Sequence, residues 1–145
     1  MGSYLTFIAN NDANRLLACY SGNGQTWNPS TQVQDQSSKM APALAAWQGK
    51  VWLAFVANNS TNQLLVCSSA DGQTWSPSTA VANQATKMAP ALAAWQGKLW
   101  LAFVANNSSN QLLVCSSADG QTWSPSAAVA NQATKAAPAL AYLNA

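Results

Sequence analysis

The side chains that could carry acid–base chemistry are few and far apart in this chain. There is no Glu and no His, Arg15 is the one arginine, and the acidic residues are Asp12, Asp35, Asp71 and Asp119. Glycoside hydrolysis uses a pair of carboxylates, and general acid–base catalysis most often uses a His. We therefore expect the chain to have no enzymatic activity.

The thiols also lack the partners that reactive or metal-binding cysteines need. Cys19, Cys67 and Cys115 recur at one position of a repeated unit, with no His and no Cys-x-x-Cys spacing near them. Zinc sites need converging ligands, and a nucleophilic thiol needs a neighbouring base. We expect three buried free thiols, no metal and no cofactor, which is typical of a reducing compartment or of recombinant cytosol.

Charge and hydropathy exclude two classes of partner. Only 7% of the residues are charged and the formal net charge is +2, without a cluster of basic residues that could neutralise phosphates. No apolar run approaches the ~20 residues of a membrane span, and the segment 1–4 lacks the features of a signal peptide. We therefore expect neither nucleic acid nor a membrane as a partner, and nothing indicates a secretory route.

The elements that must position these side chains come from a repeat. The chain is a single repeat domain of three units of about 48 residues, approximately 1–49, 50–97 and 98–145. The second and third units are nearly identical, and the first has drifted further. This period is typical of propellers and solenoids, in which each unit packs only against its neighbours.

Each unit contains four short strand-like runs, which we label A to D. In one copy they are Met88–Trp95, Leu99–Ala105, Gln111–Ser117 and Thr122–Pro125. Turn-forming residues separate the runs, and the Asp-Gly pair between C and D is a strong hairpin signal. Run B is apolar on both faces, which is typical of a strand in a sheet sandwiched between two others. The fold class is therefore all-β.

The hairpin between C and D carries a recognisable motif. Ser69–Trp75 and Ser117–Trp123 read Ser-Ala-Asp-Gly-Gln-Thr-Trp, and Ser21–Trp27 has Asn23 in place of the Asp. The motif resembles the Asp-box of sialidase-like β-propellers, and the resemblance covers every repeat. It implies a propeller blade in which the box is a structural clasp. The arginine cluster and the Tyr–Glu pair of a sialidase are absent, so the resemblance implies a non-catalytic, lectin-type propeller.

The order of the runs predicts an assembly of identical chains. Residues 3–9 align with strand B, whereas 136–142 align with strand A, so one blade is divided between the two ends. Three blades are fewer than the ~4–8 of known rings. We expect three four-stranded blades per chain, with the N- and C-terminal strands exchanged between chains to give a six-bladed ring as a homodimer. A homotrimer with nine blades is the alternative.

The loops B–C and D–A are expected to share one face and to bind carbohydrate. Their amides and hydroxyls can both donate to and accept from sugar hydroxyls, and tryptophan adds a flat apolar face. The predicted ligand-binding residues are Asn58, Asn59, Asn62, Asn83, Gln84, Lys87, Trp95, Trp100, Asn106, Asn107, Asn110, Asn131 and Lys135. The competing interpretation is that the amides and lysines are solvated loop residues and that Trp100 packs inside a blade.

Two functions remain open on the sequence alone. The first is a multivalent lectin-like propeller that binds carbohydrate with weak sites repeated around a ring. The second is an engineered or symmetrised propeller scaffold with no ligand, which the near-identical repeats and the low charge favour. The sequence does not name the sugar.

Overall fold

The computed structural model describes residues 2–11 and 13–143, which form three antiparallel sheets and no helix. We call the sheets the first, second and third blades, and the all-β expectation is confirmed. The strands of the first blade are β1 Ser3–Ile8, β2 Arg15–Ser21 and β3 Thr31–Ser37. Those of the second are β4 Ala43–Trp47, β5 Lys50–Val56, β6 Gln63–Ser69 and β7 Thr79–Ala85; those of the third are β8 Ala91–Trp95, β9 Lys98–Val104, β10 Gln111–Ser117 and β11 Ala127–Ala133. Within the described ranges, no helix is long and apolar enough to cross a membrane.

A two-residue hairpin turn sets the register of the second and third blades. Gln48 and Gly49 have φ values of 52° and 72°, and Gln96–Gly97 repeats them at 51° and 72°. Positive φ at both central residues is the geometry whose twist matches that of the flanking strands. The turn places Trp47 opposite Lys50, and the rest of the β4–β5 ladder follows from that pair.

The core lies between the blades rather than inside any one of them. Strand β5 contributes to both layers: Leu53 and Phe55 face the first blade, and Trp52 and Ala54 face the third. Burial on both faces explains why this strand is a continuous apolar run. The layer between the first and second blades contains Leu16, Ala18, Val33, Leu53, Phe55, Cys67 and Trp75. The layer between the second and third contains Ala54, Leu64, Val66, Val81, Leu99, Leu101, Phe103, Cys115 and Trp123, together with Trp47, Trp52 and Leu92.

The fourth strand of a blade lies later in the chain than predicted. In the third repeat it is Ala127–Ala133, whereas the sequence predicted Thr122–Pro125. The reason is visible in β7, where Val81 is the only fully buried side chain. An outer strand with one inward residue is almost as polar as a loop, so it offers no apolar alternation to detect.

This shift moves three predicted ligand-binding residues from loops into strands, namely Asn83, Gln84 and Asn131. The outer strands are also irregular. The β6–β7 register shifts, and Ala82 has a φ of 47°, as expected at a β-bulge. The bulge bends the outer strand, so the alternation of inward and outward side chains is interrupted there.

The segment predicted to be strand A at the end of the chain forms no strand in the structure. None of residues 136–143 belongs to a sheet, and the first blade has three strands in the order β1-β2-β3. A strand requires a neighbouring strand, and β1 belongs to the blade at the opposite end of the stack. The segment lies against the third blade instead, where the Tyr142 ring is 5.8 Å from that of Trp95.

Replacement of the buried Trp123 tests whether this side chain stabilises the fold by packing or by hydrogen bonding. Its indole Nε1 has no hydrogen-bond partner among the described residues, so its contribution is packing. Trp123→Ala should lower the free energy of unfolding by about 3–5 kcal/mol, as for other large core truncations. Trp123→Phe, the matched control, should cost much less, and urea unfolding followed by circular dichroism measures both. Equal losses would contradict the packing assignment.

Candidate functional site

The box motif is a hydrogen-bonded clasp at the turn between the third and fourth strands. Asp71 Oδ1 accepts hydrogen bonds from the backbone N–H groups of Gln73 and Thr74, each at 2.8 Å. Ser69 Oγ accepts from the N–H of Gly72 at 2.7 Å and donates to Asp71 Oδ1 at 3.0 Å. The box at 117–123 repeats these bonds, and Asn23 Oδ1 replaces the carboxylate oxygen in the first blade.

These bonds lower the pKa of both box carboxyls. The N–H groups of Thr74 and Gln73, with Ser69, lower the pKa of Asp71 to about 2, and equivalent bonds from Thr122 and Gln121 lower that of Asp119. A carboxylate that is ionised at neutral pH and bonded to its own turn is a poor proton donor. Each box carboxylate therefore holds its own turn, which is the geometry that the clasp interpretation predicted.

Burial has the opposite effect on two of the thiols. Desolvation raises the pKa of Cys67 and of Cys115 to about 12, so both remain protonated thiols at neutral pH. Cys67 and Cys115 are buried and Cys19 is half-buried, and none forms a disulfide. Among the residues that the structure describes, no three Cys or Asp side chains come together to hold a metal ion. Asp12, an acidic candidate from the sequence, lies outside the described residues.

We expect the box carboxylates to make the stability of the fold depend on pH in the acidic range. Their pKa is lower in the folded chain than the ordinary 3.8, so their contribution is present above that ordinary value and is lost as the pH falls through the lowered pKa, which for Asp71 is about 2. The variant Asp71→Asn/Asp119→Asn keeps the acceptor oxygens and should flatten the fall of the urea midpoint in that window. Asp35→Asn, an exposed residue outside the boxes, is the control. An unchanged slope in the double variant would contradict the clasp pKa assignment.

One face of the stack carries a row of amides that bond to each other from blade to blade. Asn14 Nδ2 donates to Asn58 Oδ1 at 3.0 Å, and Asn62 Nδ2 donates to Asn106 Oδ1 at 2.9 Å. We call these four residues the amide row. Three of them are predicted ligand-binding residues, and in the structure their amides hold neighbouring blades together.

Lysines from the preceding blade reach the same face. Lys39 Nζ donates to Asn62 Oδ1 at 2.8 Å, and Lys87 Nζ donates to Asn110 Oδ1 at 2.9 Å. Lys87 and Asn110, two of the predicted ligand-binding residues, are therefore in direct contact across a blade junction. Lys135 is the third equivalent lysine, and it is exposed.

The remaining predicted amides have separate surroundings. Asn59 Oδ1 accepts from the N–H and hydroxyl of Thr61, and Asn107 makes the same turn with Ser109. Asn83 and Gln84 line a shallow hollow of about 220 Å³ at the outer edge of the second blade, together with Thr61. Asn131 is exposed on the outer strand of the third blade.

A second candidate surface, lined by none of the predicted ligand-binding residues, lies on the opposite face of the stack. It is a groove of about 350 Å³ between the second and third blades, which we call the inter-blade groove. Its apolar lining includes Trp52, Val66 and Pro77. Its polar lining is Gln48, Lys50, Ser68, Ser76, Thr79, Asp119 and Gln121.

The position of Trp52 in this groove depends on a glycine of the next blade. Trp52 Nε1 donates to the carbonyl of Trp47 at 3.2 Å, which orients the indole toward the third blade. There it packs on Gly120, where any Cβ atom would collide with the ring. In the preceding junction Tyr4 packs on Gly72 in the same way. The box glycine is therefore needed both for its φ of 78° and for the absence of a side chain.

The predicted tryptophans lie away from the amide row. The rings of Trp95 and Trp100 pack in a tilted arrangement with centroids 5.6 Å apart, and Trp100 Nε1 donates to the carbonyl of Trp95 at 3.1 Å. They line a cavity of about 440 Å³ with Val114 and residues 140–143. Trp100 and Val114 occupy the positions of Trp52 and Val66, but the rest of this cavity is formed by residues of β8 and of the segment 140–143. Asn106 lies at the other end of β9, roughly 20 Å away at the rise of a strand.

Solved structures resemble this stack. An α-L-arabinofuranosidase from Fusarium graminearum, in complex with an iminosugar inhibitor, is 20% identical with a TM-score of 0.65 over 86% of this chain and 44% of that one. Penicillium chrysogenum α-L-arabinanase, complexed with arabinobiose, is 14% identical with a TM-score of 0.69 over 97% of this chain and 49% of that one. No protein-family model and no curated protein matches the chain. These likenesses show that the chain has a β-propeller fold, and it spans less than half the length of either protein.

From the residue types of the chain we predicted no enzymatic activity, and that prediction is wrong. Both similar structures are carbohydrate-active enzymes, so glycosidic chemistry is performed on this fold. The prediction rested on the missing Glu and His, yet Asp can supply the carboxylates of a glycosidase. It also treated three blades as a whole site, although the chain spans under half of either enzyme.

Proposed function

We propose that the chain is a carbohydrate-binding β-propeller unit whose sugar sites are its inter-blade grooves. The observation that carries the proposal is the lining of the groove between the second and third blades, where Trp52 lies among polar side chains. The volume of about 350 Å³ lies within the range of small-ligand sites. It suits one or two sugar rings.

The chemistry of the lining favours a neutral oligosaccharide. The side chains of Gln48 and Gln121 each offer an acceptor and a donor, Lys50 offers donors, and Asp119 offers acceptors. Sugar hydroxyls need both kinds of partner, and the C–H groups of a sugar ring need an apolar wall. With Lys50 and Asp119 both present, neither sign of charge dominates the groove.

The similar structures support a sugar ligand and suggest which probes to use first. One is an arabinanase complexed with arabinobiose, and the other is an arabinofuranosidase bound to an iminosugar. We propose short oligosaccharides, with arabino-oligosaccharides among the first to be tried. The sequence motif further favours a sialidase-like propeller with Asp-boxes, in which repeated junctions give repeated sites and hence avidity.

The amide face is the competing location for the sugar. It holds most of the residues predicted from the sequence, and Lys135 is exposed there. The inter-blade groove is preferred because the amides of Asn58 and Asn62 already bond to neighbouring blades. A sugar at that face would have to displace these bonds.

Binding on a glycan array, followed by calorimetry with the best ligand, tests the proposal. The groove variant Gln25→Ala/Gln73→Ala/Gln121→Ala removes one amide from each equivalent groove. Loss of a sugar hydrogen bond worth about 0.5–1.5 kcal/mol should weaken binding roughly 2- to 10-fold. Release of reducing sugar in the same samples distinguishes hydrolysis from binding alone.

The matched control places the same change on the outer strands. Gln36→Ala/Gln84→Ala/Gln132→Ala should leave sugar affinity and the melting temperature unchanged. If this control loses affinity and the groove variant does not, the sugar lies along the outer strands and not in the grooves. Silence across the whole array would support the second interpretation, a propeller scaffold with no ligand.

A further inference from the structure

The two outer faces of the three-blade stack are copies of the surfaces that meet inside it. We propose that they join a second copy of the chain, with residues 139–143 of one copy supplying the missing fourth strand of the first blade of the other. Two such junctions close a six-bladed ring. The assembly needs no sugar, so it stands apart from the binding proposed above.

The first blade exposes side chains that are buried in the other two. Leu5 is 48% exposed, Phe7 36% and Trp27 38%. Their equivalents are at most 7% exposed: Leu53, Phe55 and Trp75 in the second blade, and Leu101, Phe103 and Trp123 in the third. Those residues are buried because a preceding blade covers them. The first blade therefore presents the same surface with no blade upon it.

The third blade presents the complementary surface at the other end of the stack. Leu64, Val66 and Val81 are at most 1% exposed between the second and third blades. Their copies in the third blade are only half-buried: Leu112, Val114 and Val129. The two surfaces therefore meet at both blade junctions within the chain. At each end of the stack, one of the two surfaces has no blade packed against it.

A glycine at the first blade fits this junction. Tyr4 packs on Gly72, and Trp52 packs on Gly120. The next member of the series is Trp100, whose equivalent glycine is Gly24 of a following blade. Gly24 has the same φ of 78° as Gly120, but nothing lies within 4 Å of where its Cβ would be. Trp100 of one copy is therefore expected to pack on Gly24 of the other.

The strand that the first blade lacks is encoded in residues 139–143. These align with β4 and β8, which each begin a four-stranded blade. Leu44 pairs with Leu53 and Leu92 pairs with Leu101. The same register places Leu140 of one copy opposite Leu5 of the other.

The segment already lies where that strand would be needed. In the stack, β8 packs beside β4, and Leu92 joins the cluster that contains Trp47. Residues 140–143 line the corresponding face of the third blade, with Tyr142 against Trp95. The first blade of a second copy can therefore add to the segment without unfolding of either chain.

Two copies are favoured over three by the size of known propellers. Two copies give six blades, within the usual ~4–8, whereas three give nine. A contact of this head-to-tail kind must close to avoid open filaments.

Light scattering on a sizing column, without sugar, tests the assembly. The mass should be twice the chain mass of 15.2 kDa. Three times that mass would overturn the six-bladed ring, and a monomer would overturn the assembly. Phe7→Asp, which changes a side chain already exposed in the single chain, should give a folded monomer. The control Gln132→Asp, on an exposed outer strand, should remain a dimer.

A cross-linked pair tests the register even if Phe7→Asp fails to fold. In a background of Cys19→Ala, Cys67→Ala and Cys115→Ala, the pair Leu5→Cys with Leu140→Cys should form a disulfide-linked dimer on a non-reducing gel. Directly opposed strand residues have a separation that a disulfide can span. The pair Leu5→Cys with Ala141→Cys, one residue out of register, should not cross-link because its side chain points to the other face. Linking in the control alone, or in neither protein, would overturn the register.

Discussion

The packing of each blade on the next is the interaction on which the rest of this structure depends. The middle strands bury both of their faces, so no blade could keep its apolar surface from water alone. At each junction an aromatic ring packs on a glycine of the next blade: Tyr4 on Gly72 and Trp52 on Gly120. This contact fixes how closely the two blades approach. This arrangement also accounts for the low charge of the chain. When both sheet faces are core, only turns and outer strands remain for polar residues.

The features that could be predicted from the sequence are those that depend on neighbouring residues. The turns between the runs, the box hairpin and the middle strand that is apolar on both faces are each encoded within a few positions, and all three are present in the structure. The outer strand was misplaced because its single buried residue, Val81, gives no period. The segment 139–143 has the composition of a strand, yet the structure gives it none, because a strand exists only beside another.

The candidate site was harder to predict because its residues come from two repeats. Trp52 and Asp119 line the same groove although they are far apart in the sequence, and only the stacking of blades brings them together. The signal was nevertheless present, since an aromatic residue and a box glycine recur at fixed positions in every unit. The amide face stays a prediction. Its asparagines were identified as hydrogen-bonding groups, and in the structure some of them bond to asparagines of the neighbouring blade.

Comparison of the first box with the other two shows which of its properties the fold requires and which a ligand could use. Asn23 accepts the same two N–H groups as Asp71, so the clasp needs an oxygen acceptor and not a charge. The negative charge of Asp119 is therefore not demanded by its turn, and it lies at the lining of the inter-blade groove. The groove between the second and third blades pairs Asp119 with Lys50, whereas one built on the first box has Asn23 at the equivalent position and lacks that negative charge. Near-identical repeats can thus present grooves of the same shape that differ in the charge they offer a sugar.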